Sequence, residues 1–205
     1  AVINSPANNS FTNDTTPDIN FTITDNLATT INYTIFIDNI LNSTGSVANN
    51  TATVVTLGTL SQGIHTVVVQ GTDNATNSAN SSTVTFTLDA TTPNAVINSP
   101  ANNSFTNDTT PDVNFTLTDN LAATINYTIF IDNILNTTGS VANNTATVVT
   151  LGALGQGIHT ILVQGTDNAT NSANSSIVTF TIDIGAPTST INSPANNSFT
   201  SDTTP

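Results

Sequence analysis

Lysine, arginine, glutamate, cysteine, methionine and tryptophan are all missing from this chain of 205 residues, and each absence excludes something. With no basic side chain the 13 aspartates stand unbalanced, giving a formal net charge of −13. Phosphate recognition is built on Lys and Arg, so nucleic acid is excluded as a partner, and acidic lipid headgroups would repel the chain as well. Without cysteine there is neither a disulfide nor a thiolate metal site, and stability must come from packing or from hard cations held by oxygen. No apolar run approaches the ~20 residues of a membrane-crossing helix, so no membrane insertion is expected in this stretch. The lack of Lys also rules out Lys–Asn isopeptide staples. A chain with no trypsin site, no readily oxidised sulfur and a uniform negative charge suits saline, protease-rich surroundings, which points to an extracellular or cell-surface location.

What is present is said twice and begun a third time. INSPANNSFT starts at Ile3, Ile97 and Ile191, so the period is 94 residues, and residues 1–94 match residues 95–188 at 80 of 94 positions. We therefore expect one unit over 1–94, a second over 95–188, and the opening of a third over 189–205 in a longer array. A catalytic site needs a few special positions. A near-identical array instead multiplies one generic module for length, valency or lattice contacts.

Within a repeat the apolar residues keep a period of two, which is the pattern of half-buried strands. Ile19, Phe21 and Ile23 alternate with polar neighbours in Asp18–Thr24, and so do Ile31, Tyr33, Ile35 and Ile37. Further strands are predicted at Thr51–Leu57, Gly63–Asp73 and Ser81–Asp89, with a short opening strand at Ala1–Asn4. Helix formers are scarce and Thr, Val and Ile dominate, so propensity agrees with pattern. About seven strands in such a length fit one two-layer β-sandwich per repeat. The differences between copies respect this reading: inward Ile19, Ile23 and Leu88 become Val113, Leu117 and Ile182, whereas outward Thr83 becomes Ile177.

The run GIHTVVVQGTDNATN at Gly63–Asn77, followed by VTFTLDATTP at Val84–Pro93, resembles the last two strands and linker of bacterial and archaeal immunoglobulin-like surface repeats. Those repeats furnish adhesin stalks, envelope proteins and extracellular filaments. The resemblance covers both full repeats and implies an all-β chain of tandem immunoglobulin-like β-sandwich domains. Asp89 and Pro93, like Asp183 and Pro187, match the linker pattern; proline stiffens such a connection, and an extended rod is the expectation. Thr76 departs from the pattern, standing where the family often has Gly.

Three sets of residues are candidates for function. In this topology Asp25 and Asp73 should lie near the upstream end of a repeat, and Asp14, Asp18, Asp38 and Asp89 toward its downstream end. Asp89 would then meet Asp119 and Asp167 of the next repeat. Calcium takes roughly six to eight oxygen ligands, and Ca2+ at this junction would cancel repulsion and stiffen it; the resemblance points the same way, since some related adhesin repeats are calcium-stiffened. The same aspartates also read as turn and cap residues, or as charges that keep the surface soluble.

The second set is the Asn-x-Ser/Thr sequons, candidates for N-linked glycans: Asn8, Asn13, Asn20, Asn32, Asn42, Asn49, Asn74 and Asn80, then Asn102, Asn107, Asn114, Asn126, Asn136, Asn143, Asn168 and Asn174, and Asn196. About five per repeat would arise by chance from this composition, so the excess is modest. The third set is apolar residues on outward strand positions: Phe36, Ile64 and Val68, with Phe130, Ile158, Leu162 and Ile177 in the second copy. Aligned apolar groups recurring once per module would sum weak self-association into bundles or a lattice.

His65 and His159 are the only histidines. His65 shares a strand face with Val67 and Val69, so a packed, hydrogen-bonded role is expected. No nucleophile–base spacing, HExxH helix or phosphate-binding glycine loop is present, and no enzymatic activity is expected. The sequence thus points to a structural repeat module in the shaft of an extracellular filament, sheath or envelope layer. Its rival is an adhesin stalk or a repeat that binds a glycan or cell-surface ligand. The residues from Ile191 onward also read either as continuation into a third unit or as a strand donated to a neighbour.

Overall fold

Period-two alternation places successive side chains on opposite faces, and these segments become strands wherever one face can be buried. The computed structural model describes every residue except Pro194, Asp202 and Pro205. Among the described residues the regular elements are all strands. The first repeat contains β1 (Val2–Ser5), β2 (Ser10–Thr12), β3 (Asp18–Thr22), β4 (Thr30–Ile37), β5 (Ile40–Ala48), β6 (Thr53–Thr56), β7 (Gly63–Thr72), β8 (Ser78–Asn80) and β9 (Val84–Leu88). The second contains β10 (Asn94–Ser99), β11 (Ser104–Thr106), β12 (Asp112–Thr118), β13 (Thr124–Ile131), β14 (Ile134–Ala142), β15 (Thr147–Thr150), β16 (Gly157–Thr166), β17 (Ser172–Asn174) and β18 (Val178–Ile182).

Each repeat is a two-layer sandwich. One layer is the three-stranded sheet β1-β3-β6, and the other is the sheet β2-β9-β7-β4-β5 with β8 paired to β7; the second repeat copies this arrangement. There are more strand segments than the seven or so expected, partly because the opening strand is split. β1 pairs antiparallel with β3 in one layer, and beyond Pro6 and the turn at Asn9 (φ 61°) β2 runs parallel to β9 in the other. One chain segment thereby ties both layers together.

Three strands were not predicted from the sequence, the short β2 and β8 and the much longer β5. The β5 sequence, ILNSTGSVA, has little alternation, and it is strand because a two-residue turn folds it back on β4. Asp38 and Asn39 both take positive φ, 53° and 63°, as a type I′ hairpin requires; Asp and Asn tolerate that region better than other side chains. A register irregularity between Ile35 and Phe36 adds local twist to the hairpin.

Between the layers lie Ile19, Phe21 and Ile23 from the β3 side and Ile31, Ile35, Val67, Val69 and Phe86 from the other. Their counterparts fill the second core. Each buried Phe or Ile contributes about 1.5–3 kcal/mol by leaving water. The volume-sparing swaps to Val113, Leu117 and Ile182 are all buried, and Ile177 is exposed. Tyr33 lies edge-on to Phe21, with centroids 5.2 Å apart. It covers Gly45 so closely that a Cβ there would sit 2.5 Å from the Tyr33 hydroxyl oxygen.

A candidate cation centre at the junction of the repeats

Asp89 directly follows β9, its N–H donating to the Thr12 carbonyl at 2.8 Å. Its Oδ1 accepts from Thr91 N–H at 3.1 Å, a side-chain turn that starts the linker. Across the junction, Asp119 is held by its own loop, its Oδ1 accepting from Leu121 N–H at 2.9 Å and Ala122 N–H at 2.7 Å. Asp167 Oδ1 accepts from Asn171 N–H at 2.8 Å, and its Oδ2 from the Asn171 amide at 2.7 Å. The same amide donates to the Asp89 carbonyl at 2.7 Å, so Asn171 spans the two repeats. Gln62 Oε1 makes a second bridge, accepting from Thr91 Oγ1–H and Asn120 Nδ2–H, both at 2.9 Å.

The three carboxylates expected to meet do meet: one oxygen from each of Asp89, Asp119 and Asp167 lies within 4.8 Å of the others. Asp89 and Asp167 are only 2% and 3% exposed. Burial pushes the Asp89 pKa up, the Thr91 N–H opposes this, and the charges of Asp119 and Asp167 push it up further. Asp119 Oδ2 is buried with no donor reaching it, an arrangement that costs about 1–3 kcal/mol or more for a charged group.

The residues fit a hard cation. Ligands about 2.4 Å from one ion are at most ~4.8 Å apart, and an all-oxygen, carboxylate-rich donor set suits Ca2+ rather than a soft metal. The loops hold Asp119 and Asp167 by their own N–H groups, so two of the three carboxylates are positioned independently of the preceding repeat. Asn171, Gln62 and Asn120 were not singled out in the sequence, since their roles depend on which loops face each other. Pro93 was, as a stiffener; in addition its Cγ lies 3.5 Å from where a Cβ on Gly165 would stand.

His65 is buried on the strand face with Val67 and Val69. Its Nδ1 contacts Asp38 Oδ2 at 2.7 Å and its Nε2 the Ser61 carbonyl at 2.8 Å. Both contacts are served at once when both ring nitrogens carry protons, so the geometry favours the imidazolium beside the Asp38 carboxylate. Burial works against that charge, but the Ser61 carbonyl and Asp38 override it, and the His65 pKa is raised. Burial likewise opposes the charge on Asp38, yet Thr66 N–H and His65 hold its pKa down. The second copy repeats the pair as His159–Asp132 at 2.7 Å, with the Gly155 carbonyl replacing that of Ser61.

The sequon asparagines are mostly exposed, but Asn20, Asn49, Asn114 and Asn143 are half-buried. The Asn49 amide donates to the carbonyls of Asp25 and Ala28 at 2.7 and 2.8 Å, and Asn143 repeats this. On the outer face of the larger sheet Ile64 and Ile158 are 71% and 72% exposed; Ile177, which precedes β18 and lies outside the sheet, is 56% exposed. Phe36, Val68, Phe130 and Leu162 are half-buried. Phe36 pairs with Leu41 of β5 on one side and Val68 of β7 on the other.

A family model described as a bacterial Ig-like domain matches residues 4–90 and 98–184. The fibronectin(III)-like modules of Clostridium thermocellum CbhA superpose with a TM-score of 0.54 at 14% identity, over 88% of this chain and 93% of that one. The BSP domain of a biofilm-associated protein aligns with a TM-score of 0.34 at 16% identity, over 90% of this chain and 30% of that one. No curated protein sequence matches the chain.

Proposed function

The chain belongs to the bacterial Ig-like domain family, and from that premise we propose that it is the shaft module of an extracellular filament, sheath or cell-envelope layer. The observation that carries this reading is the junction, where successive near-identical repeats are joined by buried carboxylates, two bridging amides and a seated proline. Such a joint transmits orientation from one module to the next, which a shaft needs. The boundaries 1–94 and 95–188 mark the repeating brick, and 189–205 starts another.

Ca2+ bound by Asp89, Asp119 and Asp167 cancels their mutual repulsion and stiffens each joint. Exposed sequons such as Asn13, Asn32, Asn42 and Asn74 accept N-linked glycans, which intact-mass measurement on native material would read. The outer-face row of Ile64, Val68 and Phe36 supplies weak self-association between neighbouring shafts. Phe36→Ser throughout an array then disperses bundles without shortening the shafts.

Electron microscopy of the native material tests the main reading. A regular fibre or lattice whose axial repeat scales with module number is expected. Isolated flexible stalks would overturn it. Small-angle scattering of this chain should show a shorter, more bent particle in chelator than in calcium.

A further inference from the structure

Most sheet edges of the first repeat are short. β1 and β6 hold four residues each and β2 three, and brevity is one way a fold keeps its edges from pairing with other chains. β5 is the exception. It closes the larger sheet opposite β2, runs nine residues, and carries no charge and no proline. β14 repeats it with the same residue-by-residue exposure. β5 lies in a repeat that has a following neighbour and β14 in one that has a preceding neighbour, so neither neighbour along the chain covers this edge.

The hairpin fixes which backbone groups point outward. Across a two-residue turn the flanking residues, here Ile37 and Ile40, exchange hydrogen bonds, and the groups of alternate residues turn to opposite sides. Asp38 N–H accordingly donates to the Thr66 carbonyl on β7 at 3.0 Å, away from β5. Ile35, Tyr33 and Ile31 therefore face β5, where they meet Ser43, Gly45 and Val47. The N–H and C=O groups of Thr44, Ser46 and Ala48 are left pointing away from the sheet, and no strand among the described residues lies beyond them. The register irregularity sits at the turn end of β5, and from Ser43 to Ala48 the ladder is unbroken. Tyr33 braces Gly45, the residue that would otherwise weaken the edge.

We propose that β5 and β14 are pairing edges that take the same edge of a second copy of the chain, antiparallel, and so join two larger sheets into one continuous sheet across neighbouring shafts. Charge selects the occupant. All 13 charges are aspartates, so copies repel wherever those face each other, yet there is no aspartate from Asn39 to Thr72 or from Asn133 to Thr166. A basic partner, which this acidic chain would attract elsewhere, finds nothing to hold on β5. A second copy finds an edge of its own kind, with the small hydroxyls of Thr44 and Ser46 to set against each other about a two-fold axis. The edge recurs once per 94 residues, so each pair formed raises the local concentration for the next. The proposal rests on the reading of the chain as a laterally associating shaft module and names the contact that pairs two shafts. The row at Phe36 and Val68, on the outer face of the same sheet, then stacks one pair on another.

Sedimentation velocity of the full chain at concentrations up to about 1 mM tests the proposal, on protein made without glycans because Asn42 is a sequon within β5. Wild type is expected to associate equally in calcium and in chelator. Thr44→Pro with Thr138→Pro removes one outward N–H per edge and no hydrogen bond within the repeat, and association should weaken at least ~10-fold. Ser46→Asp with Ser140→Asp should weaken it similarly in dilute salt and let it recover in about 1 M salt, where the added repulsion is screened. Melting checks that each variant is folded, and if proline unfolds the repeat the salt-reversible aspartate variant decides. Phe36→Ser with Phe130→Ser should leave the pairs intact. Wild type that stays monomeric overturns the proposal, as do edge variants that associate like wild type. Association lost in chelator would place the contact at the aspartate-bearing ends, and association lost with the Phe→Ser changes would place it on the sheet face. Either result overturns the edge pairing and leaves the shaft reading, which the junction carries, standing.

Discussion

The upstream ends of the two repeats have nearly the same sequence and different surroundings. Leu27 is 87% exposed and its counterpart Leu121 38%. Ala28 and Ala75 are half-buried and exposed, whereas Ala122 and Ala169 are buried. Asp73 is half-buried and Asp167 almost fully so. Hydrogen bonds within the loops are largely conserved between the copies, so the loops are shaped by their own backbone N–H groups and not by the partner. The lesson is that these loops keep one shape in both copies, and that contact with the preceding repeat changes their electrostatics more than their shape. A carboxylate in a solvated loop is inexpensive, but the same carboxylate dried and placed beside two others calls for a counter-charge.

The largest effects should come from the cores, and they ask whether the two copies are separate cooperative units. Phe21→Ala and Phe115→Ala each remove a fully buried ring and should cost about 3–5 kcal/mol. Calorimetry should show one of two transitions moving while the other stays. A single joint transition that shifts with either change would show that the repeats do not unfold independently.

Next come the histidine pairs. His65 has a raised pKa, so its contribution is complete below the ordinary value of 6.5 and is lost as pH rises through the folded value. Asp38 has a lowered pKa, so its contribution is complete above 3.8 and is lost as pH falls through the folded value. The pair therefore stabilises most between those two values. Asp38→Asn should cost about 1–3 kcal/mol there and progressively less at alkaline pH, read by urea melts across pH. Asp132→Asn should cost less, because His159 is less buried than His65. Equal costs would mean that burial does not govern the pair.

The junction predicts a smaller and opposite effect. A carboxylate with a raised pKa weakens the folded state above that pKa, and the loss is recovered as pH falls toward the unfolded value of 3.8. Without divalent cations, Asp89→Asn should stabilise the second repeat by on the order of 1 kcal/mol, roughly 4–8 °C in melting temperature. It should also erase any calcium response. Asp183→Asn, at an exposed position, should do neither. If both variants respond alike in dilute solution, the contrast between the two ends is not electrostatic.

The smallest expected effect is symmetric. Thr76 and Thr170 both sit at φ 70°, a region unfavourable to a β-branched side chain. Thr76→Gly and Thr170→Gly should each gain about 0.5–1 kcal/mol, the relief of left-handed strain less the entropy glycine adds to the unfolded chain. Unequal gains in thermal melts would show that the junction reaches into this loop.

Most of the sandwich was legible because its strands alternate. Ile19, Phe21 and Ile23, and Val67 with Val69, announce their faces without help from the rest of the chain. β5 was not legible, because Asn, Ser, Thr and Gly give it no clear face; a two-residue turn and the neighbouring strand impose its conformation. The aspartate triad could be anticipated because strand order assigns each loop to one end of the module. The His65–Asp38 pair was only half visible, since burial of the histidine follows from alternation but its carboxylate partner comes from the hairpin turn.

The sequence by itself determined the repeat, the strand periodicity, the excess of negative charge and which loops share an end, because all of these follow from residue type and chain order. Only the tertiary structure decided that Asp89 and Asp167 are buried together at the joint, and that Asn171 and Gln62 span it. Desolvation depends on what lies across the gap, and identical residues carry no record of their neighbours.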